Sequence, residues 1–409
     1  MRKIITFLGT RPKETIYQWN GDECKATVFP QVLRERLADQ YDKMLVFVTE
    51  EAKKSALPEL KPEKDPRLVP VDIPTPKTEA DHWALFECLT ERVGEGDAVY
   101  FDITHGFRSI PFLVFLAAAY LKAAKGVTIE GIYYGALEMG SPAPVIDLTP
   151  FASLLDWLAA TNHFIRTGSA ADLAQVLKSG RPQGRSSIRS LADKLQELSL
   201  ALMLCRPLEA MERAEKFRQA LDDASNDEVL PAPFRLLLDR LREEYAARAL
   251  AKPETDVRKN LCIQLDLLDW YVENNQIIQA ITLAREWVVS ALAWKATGRL
   301  VLDNDERGQW ERAVNAIAPS GRDKRPTASP APADLRLSSE DQQTVGKLWG
   351  SLGNLRNDLA HAGMRPTRTR PEKIVRAAQE MQQQVRDLAV RLGVCDPCPG
   401  EDLPPEDAA

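Results

Sequence analysis

The sequence lacks the features that mark several common functional classes. It contains neither a G-x-G-x-x-G motif nor a Walker lysine motif, so dinucleotide cofactors and NTP hydrolysis are not supported. The formal net charge is −6, which leaves no basic field over the whole molecule and argues against a bulk binder of double-stranded DNA. An enzyme with a local basic cleft remains compatible with that charge.

Long apolar runs are also missing. The longest run, from Ile110 to Leu121, is too short to span a bilayer. The N-terminal apolar segment ends at Gly9, which makes it too short for a signal peptide. We therefore expect a cytoplasmic protein. At 409 residues the chain is too long for one ordinary core, which predicts two or three domains.

Metal-binding patterns are weak. Four of the six cysteines lie in apparent core segments and are interpreted as small buried hydrophobes: Cys24, Cys88, Cys205 and Cys262. Cys395 and Cys398 form a C-x-x-C in an acidic, Pro-rich tail, without a second pair or a nearby histidine. Carboxylates and the four histidines show no convincing metal spacing, so no metal is predicted.

Up to about residue 150, short apolar runs alternate with helical spacing. Strands are predicted over 3–8, 44–48, 68–73, 98–103, 128–134 and 145–148. Helices are predicted over 27–38, 79–92 and 109–122. This alternation implies a Rossmann-like α/β domain, with a mostly parallel sheet covered on both faces. Ligands bind such sheets beyond the carboxyl ends of the strands.

The strand pattern disappears after about residue 151, and an all-α region is expected. Helices are predicted over 234–247, 257–272, 277–292 and 372–391. Ser339 with Gln342 resembles a capping box that opens one more helix, running towards Arg356. The segment 318–333 holds four prolines and is interpreted as a flexible loop.

A polar turn follows the predicted strand that ends near residue 103. It offers the carboxylate of Asp102, the hydroxyl of Thr104, the imidazole of His105, the backbone of Gly106 and the guanidinium of Arg108. Free backbone amides at a helix N-terminus favour anions such as phosphate, and an arginine adds bidentate contacts. A turn that only caps the helix fits the same residues equally well.

A second polar motif, R-N-D-L-A-H, begins at Arg356 and ends at His361. Positions five apart on a straight helix differ by about 140°, so these two side chains do not share a face. They converge only if the helix ends or bends between them, or if a second copy of the chain completes the site. Histidine can move the proton of an RNA 2′-hydroxyl, arginine can stabilise the phosphate charge, and Asn357 can orient the phosphate. The plain alternative is a helix-end histidine, with Arg356 in a surface ion pair to Asp358 or Glu340.

Other candidates are weaker. Tyr17 and Trp19 are placed in the loop after the first strand, where they either stack on a base or pack as core. His82 is interpreted as a solvated helix residue and His163 as a structural one. Arg285 with Glu286 either lines a cleft opposite the R-N-D-L-A-H motif or forms an intrahelical charge pair.

The two motifs together carry a family resemblance. The D-x-T-H-G sequence at 102–106 resembles the signature of the CRISPR-associated CARF–HEPN proteins that accompany type III systems. The R-x-x-x-x-H sequence at 356–361 resembles the catalytic motif of HEPN ribonucleases, including the common asparagine after the arginine. The resemblance implies a CARF sensor domain over 1–155, an all-α connector over 156–255, an all-α HEPN domain over 256–394 and an acidic tail over 395–409.

The resemblance also implies an activity. The sensor domains of a homodimer would bind a cyclic oligoadenylate, with four adenylates preferred, and activate metal-independent cleavage of single-stranded RNA in antiviral defence. Arg356, Asn357 and His361 would be catalytic. The implied ligand contacts, of which Arg11 and Tyr17 rest only on their position after the first strand, are Gly9, Thr10, Arg11, Tyr17, Thr104, His105, Gly106 and Arg108. Local basic residues for RNA would be Arg365, Arg368 and Arg370.

Two alternatives remain open from the sequence. One is a nucleotide-sensing regulator without catalysis, whose helical middle binds DNA or a partner. The other is a sensor domain that also degrades its own ligand, using Thr10 or the turn at Thr104 and His105.

Overall fold

The computed structural model describes residues 1–179, 186–225, 230–318, 337–364 and 368–395. The chain divides into two compact units, residues 1–158 and residues 159–409, which we call unit 1 and unit 2. Most of the predicted loop 318–333 and the tail beyond Cys395, including Cys398, lie outside the described residues, as does Arg365.

Unit 1, which is described in full, contains a mixed eight-stranded sheet. Its strands are β1 (Arg2–Phe7), β2 (Thr15–Trp19), β3 (Asp22–Ala26), β4 (Lys43–Val48), β5 (Leu68–Asp72), β6 (Ala98–Asp102), β7 (Thr128–Gly135) and β8 (Ala143–Asp147). Their order across the sheet is β3-β2-β8-β7-β6-β1-β4-β5. β4, β1, β6 and β7 run parallel at the centre, and β5 forms one edge, as Pro70 predicts.

Helices cover both faces of this sheet. They are α1 (Phe29–Arg36), α2 (Glu50–Ser55), α3 (Leu57–Leu60), α4 (Glu79–Glu91), α5 (Ser109–Lys125) and α6 (Thr149–Thr167), the last of which contains the boundary between the units. Alternate residues of β1 enter different cores: Ile4 packs on the α1 side, whereas Ile5 and Phe7 pack on the α4 and α5 side. The prediction of a Rossmann-like sheet followed by helices is confirmed.

The hairpin of β2 and β3 was not predicted, and the placement of Tyr17 and Trp19 in a loop was wrong. Both side chains are buried, with Tyr17 only 1% exposed, and they point into the core beside Phe29. Asn20 and Gly21 connect the strands with φ of 54° and 92°, which suits a tight hairpin turn. Burial of both rings excludes the proposed stacking of a base on them.

Unit 2 is helical throughout its described residues. Its helices are α7 (Ala171–Ser179), α8 (Ser186–Met203), α9 (Pro207–Ser225), α10 (Ala232–Arg235), α11 (Leu238–Glu244), α12 (Val257–Glu273), α13 (Ile277–Thr297), α14 (Asn304–Ile317), α15 (Ser339–Ala360) and α16 (Pro371–Leu392). α13 packs against α12, α14, α15 and α16. Among the described helices, α13 alone is long and apolar enough to cross a membrane, but most of it is buried, as expected of a core helix.

Two helix predictions in unit 2 need correction. The predicted helix over 234–247 breaks at Leu236 and Leu237 into α10 and α11, and this break keeps Phe234, Leu241 and Tyr245 buried. The capping residue of α15 is Ser338, not Ser339. Its hydroxyl accepts a hydrogen bond from the N–H of Asp341 at 3.1 Å, so an aspartate rather than Gln342 occupies the third helical position.

Candidate functional site

The two polar turns of unit 1 lie side by side at the carboxyl edge of the sheet. The segment after β1 starts at Gly9, and the turn after the parallel strand β6 contains His105. A Cβ added at Gly9 would lie 3.8 Å from the Cβ of His105. After the β2–β3 hairpin at the far edge, the chain adds β4 and β5 on one side of β1 and then returns to β6 on the other side of β1. The turns therefore flank a topological switch point, the position where open α/β sheets bind ligands.

Asp102 holds the turn in place through buried hydrogen bonds. Its carboxylate is fully buried and accepts hydrogen bonds from the Thr6 hydroxyl at 2.6 Å and from the Thr104 N–H at 2.8 Å. Burial raises the pKa of Asp102, while the nearby His105 and these hydrogen bonds act in the opposite direction. The residue shapes the turn and is not available to a ligand.

Thr104 and His105 also make internal hydrogen bonds. The Thr104 hydroxyl accepts from the Gly135 N–H at 2.8 Å, and the His105 Nε2 accepts from the Phe29 N–H at 3.2 Å. Burial lowers the pKa of His105, opposed by the charge of Asp102. A neutral imidazole whose Nε2 accepts carries its proton on Nδ1. Both side chains remain partly exposed, and their contact with a ligand stays a prediction.

The rest of the turn faces solvent. Gly106 has φ of 121°, and a Cβ there would meet the Ile110 side chain at 3.1 Å, so the position requires glycine. Phe107 and Arg108 are exposed immediately before α5. The Nε2 of His82, a partly exposed residue of α4, lies 2.9 Å from the Ser109 hydroxyl, and this bond joins α4 to the start of α5.

Arg11 lies on the same carboxyl edge. Since β2 pairs with β8, the connection from β1 to β2 runs past the ends of β6 and β7. The β2 strand is antiparallel to β1, so it starts at the edge where β1 ends. Arg11 is exposed on this connection, whereas Tyr17 lies beyond it inside the core. Burial, with a smaller effect from Asp102, raises the pKa of Tyr17 to about 12.

The second site lies at the end of α15. Arg356, Asn357 and His361 are exposed, whereas Asp358 between them is only 4% exposed and accepts from the Thr369 N–H at 3.2 Å. The helix is unbroken through Ala360, and the His361 N–H still donates to the Asn357 carbonyl at 3.2 Å. The arginine and histidine therefore leave the helix about 140° apart. Arg356 Nη1 lies 3.3 Å from Asn357 Oδ1, and Glu340 pairs with Arg391 instead.

A cleft of about 910 Å³ adjoins the end of α15. Its lining residues are Ile277, Ile278, Asp358, Leu359, Ala362, Gly363, Arg368, Thr369, Arg370, Pro371, Ile374 and Val375. Neither Arg356 nor His361 is among them, because the cleft lies on the face of α15 that carries Asp358 and Leu359. Arg368 and Arg370 nevertheless place positive charge close to the motif.

Arg285 and Glu286 do not pair with each other, and Arg285 does not line this cleft. Arg285 forms an ion pair with Glu311 on α14 and stacks over the ring of Trp349 on α15, 4.3 Å from its centroid. Glu286 pairs with Arg307 at 2.6 Å. The prediction of an intrahelical charge pair was wrong, because both partners come from α14. The prediction that these residues line a cleft opposite the R-N-D-L-A-H motif stays a prediction.

Within the described residues, no group of three or more His, Cys, Asp or Glu side chains is placed to hold a metal ion. The Cys262 thiol donates to the carbonyl of Val394 at 3.2 Å, beside Cys395. His163 pairs with Asp172 at 2.6 Å, which fits its predicted structural role.

Part of the chain is similar to known proteins. Residues 153–249 match the family model of the CRISPR-associated protein MJ1674, second domain. CRISPR-associated protein MJ1674 of Methanocaldococcus jannaschii is 33% identical over 123 residues. The family-model match lies outside both motifs. Part of the chain is therefore similar to a domain of a CRISPR-associated protein.

The matched segment is a small part of both sequences. It covers 29% of this chain and 18% of the curated relative. Among solved structures, Enterococcus italicus Csm6 bound to cyclic hexa-2′-fluoro-hexa-dAMP is similar over 96% of this chain and 94% of its own, at 12% identity and a TM-score of 0.41.

Sequence reasoning missed the residues that hold the turn after β6. Thr6, Phe29 and Gly135 each bond to a side chain of the D-x-T-H-G motif. Phe29 and Gly135 contribute backbone groups, which no sequence pattern distinguishes. Phe107 was also passed over, although an apolar residue inside a polar turn was a visible signal.

Proposed function

We propose that the protein is an endoribonuclease activated by a cyclic oligoadenylate, acting in the cytoplasm in type III CRISPR antiviral defence. The observation that carries this proposal is the exposure of the side chains in the R-N-D-L-A-H motif. Its three candidate catalytic side chains are exposed at the end of an unbroken helix, while the aspartate between them is buried. Exposed arginine, asparagine and histidine side chains can bind a polyanion that approaches from solvent.

Each of the three residues has a role in a metal-independent cleavage. His361 takes the proton of the 2′-hydroxyl, whose oxygen attacks the adjacent phosphorus. Arg356 stabilises the charge that develops on the phosphate, and Asn357 orients the phosphate. The bond to the 5′-oxygen breaks, and this oxygen takes up a proton. The products are a 2′,3′-cyclic phosphate and a 5′-hydroxyl end.

A homodimer would resolve the angular separation of Arg356 and His361. Within one chain they point about 140° apart, so a second copy supplies the complementary residue. Unit 1 presents an apolar surface for pairing, since large exposed side chains lie on the adjoining helices α5 and α6: Phe112, Leu116, Tyr120, Phe151, Leu154 and Leu158. Contiguous apolar surface of this kind marks interaction sites.

The sensor turns would bind the ring across the two-fold axis of that dimer. The contacts proposed are Gly9, Thr10, Arg11, Thr104, His105, Gly106 and Arg108, without the buried Tyr17. Backbone amides at the start of α5 suit phosphates. The ring would shift the dimer towards an active arrangement if it binds that arrangement more tightly.

The test is cleavage of a labelled single-stranded RNA by the purified full chain in EDTA, with cyclic tetra-adenylate, cyclic hexa-adenylate or no ring. We expect cleavage with one ring, tetra-adenylate being our preference. His361→Ala should abolish cleavage and leave ring binding unchanged, whereas His163→Ala, a matched exposed histidine of unit 2, should cleave normally. Cleavage by His361→Ala at the rate of the unsubstituted protein would refute the catalytic assignment. Tight ring binding without cleavage would point to a non-catalytic regulator.

A further inference from the structure

Phe107 is an exposed aromatic residue inside the polar sensor turn. Its side chain is 44% exposed, although its neighbours His105 and Arg108 are polar and the turn lies at the carboxyl edge. Its backbone is held in place, because the Phe107 carbonyl accepts from the Ile110 N–H at 2.9 Å in the first turn of α5. A large exposed ring on a backbone held in this way, at a switch point, is placed to meet a ligand.

The neighbours of Phe107 add the complementary chemistry. Arg108 follows it directly and offers a guanidinium suited to a phosphate. Gly106 precedes it with φ of 121°, and a side chain there would press on Ile110, so the turn cannot easily change its course. An aromatic face beside a cation matches the two parts of a nucleotide, its base and its phosphate.

We propose that Phe107 is the adenine-stacking residue of the sensor, one base of the ring packing on each protomer's Phe107 while Arg108 holds a phosphate. This inference rests on the proposed function and adds a specificity-determining residue to it. The buried rings of Tyr17 and Trp19 cannot serve in this way. Stacking selects for a flat purine without reading its edge, so Phe107 contributes affinity and leaves base identity to other contacts.

The test measures ring affinity of the full chain by calorimetry, using whichever cyclic oligoadenylate the unsubstituted protein binds. Phe107→Ala should weaken binding by at least about 30-fold, because each ring loses a stacked base on both protomers. Phe107→Tyr should restore most of the affinity. Phe107→Leu, which keeps apolar bulk without an aromatic face, should stay weak. Trp83→Leu is the matched control, because Trp83 is a 59% exposed aromatic residue on α4 outside the turn, and the affinity of this variant should not change.

Sedimentation of each variant without ligand separates stacking from dimer packing. We expect Phe107→Ala and Phe107→Leu to remain dimeric at the concentration of the unsubstituted protein. Equal affinity in Phe107→Ala would overturn the inference while leaving the proposed function intact. So would recovery by Phe107→Leu, or a loss of affinity that follows only from dissociation of the dimer. Failure of the unsubstituted protein to bind any ring would instead remove the proposed function itself.

Discussion

His105 ties the turn after β6 to the first residue of α1. Its Nε2 accepts the Phe29 N–H, which requires the neutral imidazole, and burial lowers the pKa of His105 below the ordinary 6.5. Below pH 6.5 the imidazole of His105 is protonated in the unfolded chain, whereas in the folded chain it stays neutral until the pH falls further. The stability contributed by His105 is therefore present above that pH and is lost as the pH falls towards its folded pKa. The raised pKa of Asp102 has the opposite effect, since its folded carboxyl keeps its proton to higher pH.

Substitution of His105 can isolate this contribution. His105→Gln keeps an acceptor for the Phe29 N–H but does not titrate, whereas His105→Ala leaves that donor unpaired, at a cost of about 1 kcal/mol or more. Hydrogen exchange of peptides covering Phe29 should accelerate from pH 7.5 to 5.5, after correction for intrinsic rates, more in the unsubstituted protein than in His105→Gln. His105→Ala should exchange fast at both values. Identical pH dependence in the unsubstituted and Gln proteins would show that His105 does not titrate in this window.

At the scale of the element, α15 is held in place by contacts far from its motif. Arg285 on α13 pairs with Glu311 and stacks on Trp349, whose indole N–H donates to Asn315 at 2.6 Å. The Arg285 side chain is only partly exposed, so its interactions are screened less than those of a surface pair. These contacts fix the helix seven residues before Arg356.

Arg285→Met should therefore destabilise unit 2 by about 1–3 kcal/mol, since it removes a charged hydrogen bond and a cation–π contact. Urea denaturation of the full chain, followed by tryptophan fluorescence, measures the shift. Arg218→Met provides the comparison, because Arg218 makes a more exposed pair with Glu215 on one helix and should change stability by less than about 1 kcal/mol. Equal shifts in the two variants would mean that the contact with Trp349 contributes little.

The elements differ in how far the sequence could predict them. Strands such as β1 and β4 were predictable because their apolar runs are long and buried on both faces. The β2–β3 hairpin was missed although its alternation and its Asn20-Gly21 turn carry the usual hairpin pattern. Other features had no local signal. The partner of His105 is a backbone N–H 76 positions away, and the partner of Arg285 depends on how α13, α14 and α15 pack.

At the scale of the whole molecule, the proposed dimer makes a prediction that a single chain cannot fulfil. If His361 of one protomer works with Arg356 of the other, two different inactive chains should complement each other. Arg356→Ala and His361→Ala homodimers should both fail to cleave RNA. Heterodimers purified through two affinity tags would hold one complete pair of residues across the interface, and should recover up to about half of the unsubstituted activity.

The controls follow from the same geometry. A heterodimer of the unsubstituted chain with the Arg356→Ala, His361→Ala double variant contains an intact set only within one chain, so it should stay inactive if the pair acts across the interface. Activity there, with none in the complementing heterodimer, would place both residues in one chain and require α15 to bend after Arg356. That bend would contradict the unbroken helix, whose hydrogen bonds continue to the His361 N–H.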